Sequence, residues 1–274
     1  MPGDPRPLGV FDSGMGGLTV LRALFAELPH ERFVYLGDTA RLPYGTKSAE
    51  TVQAYALQAT RLLHDQGVKM LVIACNTASA VALYLLQEAW APIPVIGVIE
   101  PGARAGVAAT RNRRIAVIAT EGTVKGGAYA RAIQRLMSEA EVVQQPCQVF
   151  VALAEEGWTD SPATHAAARH YLSPLFASPR APDTLVLGCT HFPVLASAIR
   201  KTIGVDVALV DSAETTALAV AQALAKGGQA APAGDGAVRF FATDAPERFA
   251  RVGAIFLGRA IDPNSVELID LLAP

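Results

Sequence analysis

The chain has 274 residues, of which 51% are hydrophobic, and its formal net charge is -2 at pH 7. This balance gives no basic surface for nucleic acid, and no apolar run reaches the roughly 18 residues that a membrane span needs. The first residues do not follow the basic-then-apolar order of a signal peptide, so we expect a cytoplasmic protein with no nucleic-acid or membrane partner.

The predicted elements alternate along the chain between short apolar runs and helical patterns. Strands are expected at residues 8–12, 32–37, 70–75, 95–99, 114–119, 141–146, 184–189 and 206–210, with a last one or two near residues 238–242 and 266–270. Helices are expected at residues 16–28, 47–66, 77–90, 100–110, 124–139, 163–177, 193–202, 213–226 and 245–257. Because the strands are apolar along their whole length and most are followed by a helix, we predict an α/β fold with parallel sheets covered on both faces.

The order of these elements repeats within the chain. Three stretches recur at offsets of 108, 114 and 112 residues: "GVFDSG" with "VIATEG", "LVIACNT" with "LVLGCTH", and "VIGVIEPG" with "VALVDSAE". We therefore predict two pseudo-symmetric, flavodoxin-like domains. The first comprises residues 1–99 plus 211–274, because the last segment is too small to hold a core of its own, and the second comprises residues 100–210.

The repeat changes the interpretation of the cysteines. The chain has three, Cys75, Cys147 and Cys189, and this odd, small number argues against a disulfide framework. No two are close in sequence, so we predict no metal site. A single buried cysteine is usually part of the core. However, Cys75 and Cys189 end equivalent strands, where open parallel sheets bind ligands, so we expect both in one cleft between the domains.

Two thiols in one cleft have a specific chemistry. A helix N-terminus lowers the pKa of a thiol, and both cysteines precede predicted helices, so we expect their thiolates to be favoured. A thiolate on one face of a carbon and a thiol on the other can invert a stereocentre without metal or cofactor. Asp12, at the end of the first strand, and His191 are candidates to assist, although Asp12 could instead cap a helix and His191 could bind backbone.

Other interpretations remain open at this point. The run "DSGMGGLTV" partly matches a dinucleotide-binding fingerprint, with Gly14 and Gly16 in place and Asp38 as a candidate ribose ligand, but Thr19 stands where the third glycine belongs. A cysteine hydrolase would use one thiol with His191 and leave the second thiol unexplained. A two-lobed binding protein would have no need of thiols.

The sequence resembles the cofactor-independent glutamate racemases of the aspartate/glutamate racemase superfamily. The similarity runs from about residue 8 to 257 and is carried by "GVFDSGMGGLTV", "GDTARLPYGTKS", "IACNTASA", "PVIGVIEPG", "LGCTHFPVL" and "VDSAE". Relatives that act on aspartate share the cysteine pair but differ around it, so a racemase of aspartate is the alternative. The family often has proline where Ala152 stands, a difference that removes no chemical group.

The resemblance implies an isomerase that interconverts L- and D-glutamate without a cofactor and supplies D-glutamate for peptidoglycan, and hence for the cell wall and cell shape. It implies that Cys75 deprotonates the D-enantiomer and Cys189 the L-enantiomer, with Asp12 and His191 assisting. Glu155 matches an acidic position beside the second thiol, and a homodimer is common. Besides Asp12 and His191, the matching substrate contacts are Ser13, Tyr44, Gly45, Asn76, Thr77, Thr120, Thr123 and Thr190.

Overall fold

The computed structural model describes residues 3–271; residues 1, 2 and 272–274, which belong to the predicted first domain, lie outside the described part. The described residues form ten strands, one at each predicted place, and both of the places near residues 238–242 and 266–270 are strands. They are β1 Leu8–Asp12, β2 Phe33–Gly37, β3 Met70–Ile73, β4 Val95–Gly97, β5 Arg114–Ala119, β6 Glu141–Pro146, β7 Thr184–Gly188, β8 Ala208–Asp211, β9 Val238–Ala242 and β10 Val266–Leu268.

Twelve α-helices connect and cover these strands within the described residues. They are α1 Leu18–Glu27, α2 Ala49–Asp65, α3 Asn76–Val81, α4 Leu83–Ala89, α5 Ile99–Ala109, α6 Glu121–Gly126, α7 Ala128–Leu136, α8 Val149–Glu155, α9 Pro162–Phe176, α10 Ala196–Ile203, α11 Ser212–Gly227 and α12 Pro246–Leu257. Short 3-10 turns occur at Thr39–Arg41, Tyr44–Thr46, Phe192–Leu195 and Pro263–Ser265. None of the described helices combines the length and the apolar character that a membrane crossing requires.

The strands form two parallel sheets, as the apolar runs predicted. One has six strands in the order β10-β9-β2-β1-β3-β4, and the other has four in the order β6-β5-β7-β8. The order β2-β1-β3-β4 in the first sheet matches β6-β5-β7-β8 in the second, so the sequence repeat is a repeat of topology. After α11 the chain returns to the first sheet, where β9 pairs with β2.

Burial explains why the strands are continuously apolar. Every residue of β1, β2, β3 and β7 is buried, because helices pack on both faces of each sheet. Helices α1 and α11 pack against each other and α11 also packs against α5, which joins the two halves of the molecule. We propose the division into residues 1–99 plus 211–274 and residues 100–210 as the domain organisation.

Three helical predictions were incomplete. The helix predicted at 77–90 is interrupted at Ala82 and forms α3 and α4, which the structure does not explain. The helix predicted at 124–139 is interrupted at Gly127, whose φ of 61° is a left-handed conformation that glycine adopts readily. Helix α8 was missed, because a seven-residue run such as "VFVALAE" does not distinguish a short buried helix from a strand.

Candidate active site

A small cavity of about 30 Å³ lies where the carboxyl ends of the two sheets face each other. It is lined by residues from both units: Ser13, Pro43, Tyr44, Gly45, Cys75, Asn76, Thr77, Thr120, Val151, Cys189, Thr190 and His191. Ten of these twelve were singled out in the sequence. The structure therefore brings the two cysteines and most of the predicted contacts to one place.

Cys75 lies between β3 and α3, where it is the N-cap residue of the helix. Its Sγ accepts a hydrogen bond from the backbone N–H of Ala78 and donates one to Oγ of Ser13, both at 3.4 Å. Even so, burial and the negative charge of Asp12 raise the pKa of Cys75 to about 12. The expectation that the helix N-terminus favours this thiolate was wrong, because desolvation outweighs the two hydrogen bonds.

Asp12 ends β1 and precedes Ser13, which lines the cavity, but Asp12 is not itself a lining residue. Its Oδ2 accepts a hydrogen bond from the backbone N–H of Gly14 at 3.0 Å, so it does hold the following turn. Its Oδ1 is buried and has no hydrogen-bond partner among the described residues. Burial raises the pKa of Asp12, while the nearby charge of His191 acts in the opposite direction. Among the described residues, Oδ1 of Asp12 is therefore a candidate acceptor for a bound ligand.

Cys189 follows β7, but no α-helix begins at it. The next regular element is the 3-10 turn at Phe192–Leu195, so the dipole of an α-helix does not act on this sulfur. Instead, Nδ1 of His191 lies 3.7 Å from Sγ. The imidazole, rather than a helix terminus, is the polar group that faces the second thiol.

His191 is held from behind by two further residues. Its Nε2 lies 3.1 Å from Oε1 of Glu155 at the end of α8, and Oε2 of Glu155 accepts a hydrogen bond from Nη2 of Arg248 at 2.8 Å. Burial lowers the pKa of His191, but the hydrogen bonds and charges of Cys189 and Glu155 outweigh it and raise the value to about 10. Glu155 therefore contacts the imidazole rather than the thiol itself, and Arg248 was not found from the sequence.

Asn76 presents one satisfied and one unsatisfied polar atom. Its Oδ1 accepts a hydrogen bond at 2.8 Å from the hydroxyl of Tyr129, which lies on α7 of the other unit. Its Nδ2 is buried and has no partner among the described residues. The amide is thus oriented by Tyr129 and keeps a donor available. Tyr129 was missed because its place beside Asn76 depends on packing between distant helices.

Three threonine hydroxyls connect the two units at the wall of the cavity. Thr77 Oγ1 lies 3.0 Å from Oγ1 of Thr120 and 3.2 Å from Oγ1 of Thr123, and the latter two hydroxyls are 3.1 Å apart. Thr123 lies behind Thr120 and does not line the cavity. Gly45 packs so closely here that a Cβ atom on it would lie 2.6 Å from Thr120 Cβ.

Asp38, the candidate ribose ligand, has a different role in the structure. It is fully buried and accepts hydrogen bonds from the hydroxyl of Tyr44, from Nε of Arg41 at 2.7 Å and from Oγ1 of Thr243 at 2.9 Å. These bonds fix the loop that carries Gly45 to the cavity. The side chain of Tyr44 is buried and bonded to Asp38, and Tyr44 and Gly45 both line the cavity.

Cys147, the third cysteine, lies apart from the other two. Cys147 is buried beneath the loop after β6, with Sγ 3.6 Å from the carbonyl oxygen of Gln145, and does not line the cavity. Within residues 3–271, no group of three or more His, Cys, Asp and Glu side chains is arranged to hold a metal ion.

Comparison with known proteins agrees with this geometry. The family described as Asp/Glu/Hydantoin racemase matches residues 15–222. A glutamate racemase from Geobacter metallireducens is 53% identical over 92% of this chain and 93% of its own. The crystal structure of a glutamate racemase from Bacillus anthracis is similar with a TM-score of 0.91 and 39% identity, covering 97% of this chain and 98% of that one. That of the enzyme from Francisella tularensis, in complex with D-glutamate, has a TM-score of 0.90 and 38% identity, covering 98% and 99%.

The family match covers well over half of the chain, and the relatives are similar over nearly the whole of it. The matched region contains both cysteines, His191 and Glu155. The chain therefore belongs to the Asp/Glu/Hydantoin racemase family.

Proposed function

We propose that this protein is a glutamate racemase, an isomerase that interconverts L- and D-glutamate by two-base proton transfer at Cα. The observation that carries the proposal is that two cysteines from equivalent strand ends of the two units line the same buried cavity. The relatives that support the choice of glutamate are 45–53% identical to the chain. Aspartate is the substrate to test against it.

The proposed reaction uses one thiolate and one thiol. With L-glutamate bound, the thiolate of Cys189 removes the Cα proton, and the thiol of Cys75 delivers a proton to the opposite face, which yields D-glutamate. The reverse reaction exchanges the two roles, with Cys75 as the base. The substrate retains its atoms and electrons, and each cycle moves one proton onto one sulfur and one proton off the other.

The unpartnered polar atoms of the site match the charges of an amino acid. Oδ1 of Asp12 is a buried acceptor suited to the substrate ammonium, and Nδ2 of Asn76 is a buried donor suited to a carboxylate. The hydroxyls of Ser13, Thr77 and Thr190 supply further donors without placing a fixed cation beside either sulfur. Binding glutamate would satisfy groups that otherwise remain unpaired in a low-dielectric cavity.

Two charge states at the site bear on the proposed reaction. A pKa of about 12 keeps Cys75 protonated at neutral pH, and a pKa of about 10 keeps His191 cationic beside Cys189. The state with a Cys75 thiol and a Cys189 thiolate is the one that accepts L-glutamate. After turnover of L-glutamate the protons are exchanged, and the ammonium of a bound D-glutamate beside Asp12 would help to stabilise the Cys75 thiolate.

A circular-dichroism assay of both glutamate enantiomers, with L- and D-aspartate as controls, tests the activity directly. Cys75→Ser and Cys189→Ser should each lose several powers of ten in turnover, because the hydroxyl of serine is far less acidic than a thiol. Cys147→Ser is the matched control and should retain activity. Near wild-type turnover of either of the first two variants would refute the two-base mechanism, and faster turnover of aspartate would refute the substrate.

We further propose that the enzyme acts in the cytoplasm as a homodimer and supplies D-glutamate for peptidoglycan. The family resemblance supports this role. Depletion of the protein in its host should make growth depend on added D-glutamate, and light scattering of the purified protein should give twice the 28.7 kDa mass of one chain. Growth that is unaffected by depletion would contradict the cellular role.

A further inference from the structure

A chain of contacts behind Cys189 crosses from one unit to the other. Cys189, His191 and Glu155 belong to the four-stranded-sheet unit. Arg248 lies on α12, which follows β9 of the six-stranded sheet and packs against α1. Of these four residues, Arg248 is therefore the only one that belongs to the six-stranded-sheet unit.

Helix α12 contacts the Glu155–His191 pair at two points. Arg248 donates to Oε2 of Glu155 at 2.8 Å, and the ring of Phe256 meets His191 edge-on, with centroids 5.0 Å apart and planes at 75°. The two side chains are eight residues apart, about two helical turns, and so lie on the same face of α12. The imidazole is thus fixed by one aromatic contact and by a carboxylate that α12 itself orients.

Arg248 contributes to keeping Glu155 ionised. Burial raises the pKa of Glu155, but the hydrogen bond and charge of His191 and those of Arg248 outweigh it and hold the value below the usual range. The other titratable groups that face His191 are Cys189 and, from the six-stranded-sheet unit, Asp12. Without the guanidinium, Oε2 of Glu155 loses its hydrogen bond from Arg248, and the carboxylate becomes free to rotate away from Nε2 of His191.

We propose that Arg248 is a positioning residue for the Cys189 half of the reaction: it orients Glu155 so that the His191 imidazolium stays beside the sulfur. This inference rests on the proposed racemase function. Because Arg248 and Glu155 lie on different units, their ion pair also joins the two units behind Cys189.

Because Arg248 is partly exposed, its effect on catalysis can be measured apart from its effect on the stability of the fold. Its side chain is 40% exposed, and exposed ion pairs contribute little to folding. Arg248→Met keeps most of the apolar stem and removes the charge. Arg251→Met is the matched control, since Arg251 is an exposed residue on the same helix. Arg248→Lys keeps the charge but loses the fork-shaped donor group.

We expect Arg248→Met to lower kcat/KM by about tenfold, the order expected for loss of a hydrogen bond to a charged group. The acid limb of the kcat/KM profile should move to higher pH, because Glu155 becomes easier to protonate without the charge of Arg248. Arg248→Lys should restore part of the activity. Arg251→Met should match wild type, and the thermal midpoints of all variants should agree within about 3 °C.

A double-mutant cycle gives the sharpest test. If Arg248 acts through Glu155, Arg248→Met should cause no further loss in a Glu155→Gln background, whereas independent effects would multiply. Kinetic isotope effects show which of the two proton transfers is slowed. The enantiomers have an equilibrium constant of unity, so kcat/KM must fall equally both ways. The primary effect of α-deuterated L-glutamate should rise in Arg248→Met relative to that of the D-enantiomer.

The outcomes distinguish the two proposals. Wild-type protein that does not racemise glutamate would overturn the proposed function itself. Active wild-type protein with Arg248→Met equal to Arg251→Met, or with multiplying losses in the double mutant, would overturn the positioning role alone.

Discussion

Gly16 is the position where a single methyl group should disturb the Cys189 half of the site most directly. A Cβ atom on Gly16 would lie 2.4 Å from Nδ1 and 2.5 Å from Cε1 of His191, and 2.6 Å from Oγ1 of Thr190. Ordinary contacts between such atoms are about 3.5–4.0 Å. Gly16→Ala therefore requires the imidazole to move by about 1 Å or more.

The size of the expected loss in rate follows from the contact between the His191 ring and Glu155. Movement by about 1 Å away from the glycine can carry Nε2 of His191 from 3.1 Å to about 4 Å from Glu155, beyond hydrogen-bonding distance. Displacements of this size in an active site can cost about 100-fold in rate. We expect a fall in kcat of that order, with an overpacking penalty of about 1–3 kcal/mol in the free energy of unfolding.

The assay compares kcat and thermal midpoint for Gly16→Ala and Gly14→Ala. Gly14 is the matched control in the same loop, because a Cβ atom there meets only Leu42, at an ordinary 3.4 Å. Gly14→Ala should remain within a few-fold of wild type. Wild-type kcat in a folded Gly16→Ala protein would refute the reasoning that the imidazole must stay where the structure has it.

Two further predictions concern buried charges. Lys69 and Glu31 form a fully buried ion pair at 2.7 Å. Lys69→Met should lower the free energy of unfolding, measured by urea denaturation, by about 3–5 kcal/mol, because the carboxylate of Glu31 loses its cation. The double variant Lys69→Met with Glu31→Leu should recover most of this loss. A double variant as unstable as the single one would contradict this. The raised pKa of His191, about 10, means that its contribution to stability is complete below its ordinary value and is lost as pH rises through about 10. The difference in unfolding free energy between wild type and His191→Asn should shrink across that range, with kcat/KM falling in parallel; a constant difference would refute the assignment.

The sequence predicted the parts of this protein that depend on local pattern and on its internal repeat. The ten strands follow from continuous apolar runs, and the meeting of Cys75 with Cys189 follows from their equivalent positions in two units of the same topology. No long-range contact had to be known, because the carboxyl ends of parallel strands share one edge of each sheet.

The missed features depend on contacts between distant residues. Arg248 is 93 residues from Glu155, and Tyr129 is 53 residues from Asn76, so no local spacing signals either pair. The state of Cys75 was misjudged for a related reason. Its place at a helix N-terminus is visible in sequence, but its burial next to Asp12 arises only when β1 and β3 pair. The residues that form a site are thus easier to predict from sequence than the protonation states of those residues.

Initial-rate racemisation in deuterium oxide, followed by NMR at Cα, tests the two-base claim most directly. Starting from L-glutamate, the two-cysteine mechanism predicts D-glutamate that carries deuterium from Cys75, while the remaining L-glutamate keeps its proton because Cys189 can return only the proton that it removed. The same pattern should hold from the D-enantiomer with the roles exchanged. D-glutamate that retains the original proton, or L-glutamate that exchanges as fast as product forms, would contradict the mechanism.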